Sequence, residues 1–208
     1  METPHVRGGR PETQFMPVVD GRSRCHAGRT PLNMTRTEAE DLLFHEARLL
    51  DNRQLDSWLE LFTQDGLYWI PIDDAAPVRS QTSLVYDTPE RRVERVDHLL
   101  NNYFPSQSPR SRTVHVVSNV ICEPVSKIDG KTETDAEADG EHATVYSSQV
   151  IYEMRTGDYT QSGIGELQTI VARVEHQLRR VDGALKIARK KILLMNRDTW
   201  QGNLTFLM

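Results

Sequence analysis

Apolar residues recur along this chain in two rhythms, and the change between them divides it. Between residues 35 and 103 the spacing is helical. Leu43, Ala47 and Leu50, widened by Leu42 and Leu49, make the stripe of a first helix. Thr37 followed by Glu40 has capping-box spacing at its start. Asp51-Asn52-Arg53 interrupts, and Leu55, Trp58, Leu59 and Phe62 then predict a second helix with one apolar face. Gln64-Asp65-Gly66 reads as a turn, and residues 67–72 as a strand that Pro71 confines to an edge or a bulge. Residues 73–85 form a polar connection. Pro89 and Glu90 open a third helix whose apolar face is Val93, Val96, Leu100 and Tyr103, with His98 on the solvated side.

From residue 113 the rhythm becomes that of strands. Runs at 113–125, 143–154, 165–178 and 184–195 are apolar and β-branched. The 15 residues at 127–141 are an acidic insertion that reads as a solvated hairpin loop. Asp182-Gly183 sits between two apolar runs, which is a hairpin signal because both residue types tolerate positive φ. Helices followed by several antiparallel strands predict an α+β domain, with the N-terminal helices packed on one side of a curved antiparallel sheet. The first long strand is apolar on both faces. Val114, Val116, Val120 and Cys122 share one face, and Val117 and Ile121 share the other with His115 and Asn119. A sheet with one wet face would alternate more cleanly, so the second face must also be buried, against a cone-like interior or another subunit.

Residues 1–33 change the picture in a different way. Pro and Gly alternate with scattered Arg and leave no helical or strand period. They predict a poorly structured tail ahead of a single domain over 34–208. The whole chain of 208 residues carries a formal charge of -5 and 38% hydrophobic residues. That balance argues against nucleic acid and anionic membrane as partners. No run approaches the ~20 apolar residues of a membrane span, and the N-terminus has no signal-like apolar core. The expected compartment is the cytoplasm, where the two cysteines, Cys25 and Cys122, would stay reduced.

The same counting limits the chemistry. A Rieske cluster needs paired Cys and His ligands, and two cysteines about a hundred positions apart cannot supply them. The seven histidines are not paired as a mononuclear iron site requires. Gly163-Ile164-Gly165 lacks the Lys and the helix of a phosphate loop. No cofactor and no metal are expected on this chain. His115 is the one candidate catalytic base, on an otherwise apolar strand, with Asp51, Asp65 or Tyr68 as possible partners. The favoured reading is structural: a core or interface histidine bonded to a carboxylate or a backbone carbonyl. Arg48, Arg112 and Arg189 suit ion pairs across subunit contacts and join His115 and Asn119 as candidate interface residues. Trp58 and Trp69 read as core. Strand alternation splits the run Arg189-Lys190-Lys191 between two faces.

Four segments, in order, carry a resemblance. They are Glu46-Ala47-Arg48-Leu49-Leu50-Asp51 with Trp58-Leu59-Glu60-Leu61-Phe62 and Tyr68-Trp69-Ile70-Pro71; Arg112-Thr113-Val114-His115-Val116-Val117-Ser118-Asn119-Val120; Ile187-Ala188-Arg189-Lys190-Lys191-Ile192-Leu193-Leu194; and Asn203-Leu204-Thr205-Phe206-Leu207-Met208. Together they resemble the beta (small) subunit of aromatic-ring-hydroxylating, Rieske non-heme iron dioxygenases. The resemblance implies a cone-shaped α+β fold like that of nuclear transport factor 2 (NTF2-like) and scytalone dehydratase. It implies a partner alpha subunit, commonly in an alpha3beta3 assembly, that holds the Rieske 2Fe-2S cluster, the mononuclear iron and the substrate. Electrons would come from NAD(P)H through a reductase and often a ferredoxin. This chain would be the non-catalytic, structural subunit. The alternatives are a stand-alone cone-fold dehydratase or isomerase with His115 as base, and a small-molecule-binding homo-oligomer.

Overall fold

A computed structural model describes residues 32, 34–74, 82–102, 108–124, 142–157, 165–198 and 206–208. The predicted tail falls outside these residues except for Leu32, which is buried and donates its N–H to His142 O at 3.3 Å. The acidic insertion, Cys25 and Tyr103 also lie outside them.

Helix α1, Arg36–Asp51, is capped by Thr35 rather than Thr37. Thr35 Oγ1 accepts the Glu38 N–H at 3.2 Å, and the Glu38 carboxylate accepts the Thr35 N–H at 2.8 Å. The box sits two residues earlier than the spacing suggested because Arg36 and Thr37 are already helical. That backbone hydrogen bond, with help from Arg180, holds the Glu38 carboxyl at about 2. The helix ends in a Schellman turn: Gln54 N–H reaches Leu49 O, Arg53 N–H reaches Leu50 O, and Arg53 takes the left-handed position at φ 54°. Helix α2 is short, Leu55–Leu59, and Phe62 belongs to the following strand instead.

Strand β1, Phe62–Pro71, runs through the predicted turn. Five steps along β1, from Phe62 to Leu67, match two along the last strand, from Ile187 to Arg189, so Gln64-Asp65-Gly66 bulges out of a continuing strand. Gly66 is required there. A Cβ would sit 2.9 Å from Ile187 O and 3.0 Å from Thr63 O. Strand β2, Ser83–Asp87, occupies part of the expected connection. Helix α3, Pro89–Asn101, buries Arg92, Val96 and Leu99, while Val93 is exposed. The expected face is rotated because a charged residue takes an inward position: the Arg92 guanidinium stacks 4.0 Å above the Phe62 ring and donates to Gly66 O. Burial pulls that guanidinium down to about 10.

Strands β3 (Ser111–Pro124), β4 (His142–Arg155), β5 (Leu167–Val181) and β6 (Ala184–Leu194) complete a six-stranded sheet of order β2-β1-β6-β5-β4-β3. The sheet is antiparallel except for the β1/β6 pair. Asp182 (φ 50°) and Gly183 (φ 81°) form the two-residue turn between β5 and β6. The helices cover the inner face, where Trp58 packs edge-on against Phe62 and Tyr68 with centroids 4.9 and 5.6 Å away.

Strand β3 departs from simple alternation. Ser118 opposes Ser148 and Ile121 opposes Tyr146, so β3 holds one residue more than β4 across this interval. Asn119 absorbs it at φ 53°, a conformation that asparagine tolerates. The inward set is therefore His115 and Val117 before the bulge and Val120 and Cys122 after it. Val114, Val116 and Ile121 face outward. The two faces read from strict alternation are corrected by this one-residue slip.

Alanine at Gly66 should force backbone apart from backbone. The expected cost is about 1–3 kcal/mol, read as a fall of several degrees in Tm with the circular dichroism spectrum unchanged. A Tm equal to wild type would refute the close approach.

Candidate functional site

The register aligns one residue from each strand into a row across the inner face: Cys122, Val145, His176, Lys190, Tyr68 and Asp87. Its later members are polar and buried. Glu46 descends onto the row from α1, at an inward position of the helix stripe. Its Oε2 accepts from His176 Nε2 at 3.1 Å, and its Oε1 accepts from Trp58 Nε1 at 3.0 Å. The Lys190 ammonium lies 2.8 Å from the same Oε1 and forms a buried ion pair with it.

Burial shapes each of these charges. It pushes the Glu46 carboxyl up, and the Lys190 ammonium and His176 more than reverse it, leaving Glu46 ionised far below the usual carboxylate range. Burial pulls His176 and Lys190 below their ordinary values, against the pull of Glu46. Burial also raises the Tyr68 phenol. At the end of the row Asp87 takes a two-point contact from Arg95, through Nε and through Nη2 at 2.9 Å.

A second polar assembly surrounds His115, whose side chain is fully enclosed. Asp51 Oδ1 lies 2.6 Å from Nδ1 and accepts Thr113 Oγ1 at 3.0 Å, while Oδ2 accepts the His115 backbone N–H at 3.0 Å. Burial raises the Asp51 carboxyl, but these hydrogen bonds bring it below its ordinary value. His115 Nε2 faces Leu207 O at 3.2 Å. Carboxylate and carbonyl oxygens only accept, so each ring nitrogen faces an acceptor within the fold. The other end of the same peptide unit, the Met208 N–H, donates to Tyr68 OH at 3.1 Å.

Of the partners considered for His115, Asp51 is the direct one. Tyr68 meets it only through that peptide, and Asp65 pairs with Arg179 at the surface. The other candidates are scattered. Arg48 is exposed on α1 and Arg112 is exposed on β3. Asn119 bonds Ser148 Oγ at 3.2 Å from the bulge. Arg189 pairs with Glu175 within the chain at 2.7 Å. Trp58 and Trp69 are both buried. The Glu46–His176–Lys190 cluster was missed as a site. Its signals were a glutamate inside an apolar helix stripe and a three-residue basic run in a strand, which alternation forces to turn one cation inward. Among the described residues no group of three His, Cys, Asp or Glu is placed to hold a metal ion, and no helix is long and apolar enough to cross a membrane.

The outer face of β3, β4 and β5 has the opposite character. Cross-strand rows there are Val114–Tyr152–Thr169, Val116–Val150–Val171 and Ile121–Tyr146–Glu175, with Arg112–Met154–Leu167 at one end. Val114, Val116, Ile121, Tyr146, Tyr152 and Leu167 are each between 39% and 58% exposed.

Residues 45–199 match the family model of the ring hydroxylating beta subunit. The chain is 37% identical over 164 residues to the small oxygenase component of the p-cumate 2,3-dioxygenase system of Pseudomonas putida, covering 77% of this chain and 79% of that one. The beta subunit of benzoate 1,2-dioxygenase from Burkholderia mallei superimposes with TM-score 0.57 at 23% identity, over 82% of this chain and 96% of that one. A scytalone dehydratase-like protein of Novosphingobium aromaticivorans does so with TM-score 0.53 at 14% identity, over 80% and 88%. The fold is thus the expected α+β cone.

Removing one member of the buried ion pair strands the other. Lys190→Met should cost about 3–5 kcal/mol, and adding Glu46→Gln should restore more than half of it; additive losses in denaturant titrations would refute the coupling. Both His176 and Glu46 have depressed folded values, so their contribution is complete above the unfolded values and lost as pH falls. Tm should therefore decline below pH ~6.5 and again through the carboxylate range near ~4.3. A Tm that holds or rises on acidification contradicts this.

Proposed function

The chain belongs to the family of ring-hydroxylating dioxygenase beta subunits, and from that premise we propose how it serves the oxygenase. It is the structural small subunit of a cytoplasmic enzyme that adds O2 to an aromatic ring. The redox centres, a Rieske 2Fe-2S cluster and a mononuclear iron, reside on a larger alpha subunit in an alpha3beta3 assembly. Electrons arrive there from NAD(P)H through a reductase and, in a longer chain of carriers, a ferredoxin.

The observation that carries this reading is the outer face of β3–β5. Valine, isoleucine, leucine and tyrosine side chains stand on it in cross-strand rows and are substantially exposed. An apolar face with aromatic residues, crossed by the polar row Ser118–Ser148–Arg173 and bordered by Arg112 and Glu175, has the makeup of a subunit contact. Burying it against another subunit removes the cost of leaving it wet, at ~25 cal/mol per Å². Arg112 stands at the margin of this face and Asn119 at the bulge that crosses it, and both are proposed contacts. Arg189 supports it from β6 through Glu175, and Arg48 would meet a subunit on the helical side. His115 contributes from within, by fixing the strand that carries Val114 and Val116. The dehydratase or isomerase alternative needs a free imidazole nitrogen, whereas both nitrogens of His115 already face partners within the fold.

The test is to purify the tagged chain from its own host and measure native mass, iron and acid-labile sulfide. A larger companion chain bearing iron and sulfide is expected, and an iron-free homo-oligomer overturns the proposal. Val116→Asp and Ile121→Asp should abolish recovery of the companion while the isolated variant keeps its Tm within a few degrees. Undiminished assembly in both variants would remove this face from the contact.

A further inference from the structure

Strands β1 and β3 are separated in the sheet by β6, β5 and β4, a distance of ~19 Å along a flat sheet at the usual strand spacing. Yet His115 on β3 and Tyr68 on β1 grip the two ends of one peptide group, the Leu207 carbonyl at 3.2 Å and the Met208 N–H at 3.1 Å. The carbonyl oxygen and amide nitrogen of one peptide lie ~2 Å apart. The imidazole and the phenol therefore stand within ~9 Å of each other, facing one another across the interior of a strongly curled sheet. One presents a donor and the other an acceptor, at the separation that a single amide fills.

The segment held there is fastened as a ligand is fastened. Residues 206–208 belong to no helix or strand. Leu207 and Met208 are 5% and 1% exposed and sit in the hydrophobic core, with Phe206 packed beside it. The His115 ring is set in place independently of the segment by Asp51, which Thr113 and the His115 backbone N–H hold in turn. Tyr68 is fixed by β1 and by its packing against Trp58. The receptor half of the contact thus belongs to the body of the fold.

We propose that His115 and Tyr68 form an amide-binding site inside the cone, filled in cis by the Leu207–Met208 peptide, and that it accepts a small apolar secondary amide when residues 206–208 withdraw. His115 Nε2–H donates to the ligand carbonyl, and Tyr68 OH accepts its N–H. Apolar groups on either side of the amide take the seats of Leu207 and Met208. No bond is made or broken. This inference goes beyond the assembly role and does not depend on it.

N-methylbenzamide is a suitable probe because it carries one carbonyl and one N–H between a phenyl ring and a methyl group. Methyl benzoate has the same shape without the N–H. A chain stopped at Asn203 should bind the amide about tenfold more tightly than the full chain does, since a tethered competitor acts at ~mM effective concentration. It should prefer amide to ester by about tenfold, as expected for one buried hydrogen bond, and Tyr68→Phe should erase that preference. In the full chain labelled with 13C-methyl methionine, saturating amide should move the Met208 resonance to its solvent-exposed position. Equal binding of ester and amide overturns the proposal, as does a folded shortened chain that binds neither. Should the shortened chain not fold, the full chain decides: a Met208 resonance that stays in place up to the solubility limit of the amide overturns it, and displacement upholds it.

Discussion

A carboxylate removed from water survives only where its charge is answered inside the fold, and Glu46 is answered by three elements at once. The indole of α2, the imidazole of β5 and the ammonium of β6 all converge on its two oxygens. Sliding α1 by one turn would leave a buried anion facing apolar side chains and a buried cation without its partner. The apolar contacts of Leu43, Ala47 and Leu50 provide adhesion but tolerate small shifts, as hydrophobic contacts do. Glu46 removes that tolerance and fixes where the helix lies on the sheet. Asp51, five residues further on, then arrives beside His115, and the orientation of the imidazole follows from the placement of the helix.

Two polar clusters are set within the apolar core of the cone, while valine, isoleucine and tyrosine side chains stand exposed on the outside of β3 and β4. The inner arrangement is complete within one chain. In the proposed assembly the outer one is covered by another subunit, of the kind that membership of this family implies.

Much of this was legible in the sequence where a residue type has one dominant use. Asp182-Gly183 announced its hairpin, Pro89 its helix start, and the strand rhythm after residue 113 its sheet. The errors have separate causes. Arg92 took an inward position because an aromatic ring and a bare carbonyl awaited it. Gln64-Asp65-Gly66 resembled a turn because its composition cannot distinguish a turn from a bulge. The faces of β3 were misassigned past Ser118 because nothing local announces a single extra residue. His115 was recognisable as a residue with partners, and Asp51 was among those considered. The Glu46–His176–Lys190 cluster escaped because its members lie far apart along the chain and meet only through strand register.

The β1/β6 pairing also governs the order in which the molecule can be made. Strands β1 and β2 join locally, and β3 through β6 join through successive antiparallel neighbours, but only the parallel contact between β1 and β6 links the two groups. During synthesis from the N-terminus, β1 is produced early with an open edge and must wait for residues 184–194 before that edge is satisfied. Glu46 waits through the same interval for His176 and Lys190. A long-range closure of this kind is slow and leaves a pairing edge exposed meanwhile. From the completion of β4 at Arg155 until β6 is made, the nascent chain holds two unjoined pieces of sheet, and the last strand off the ribosome is the one that makes them a single surface.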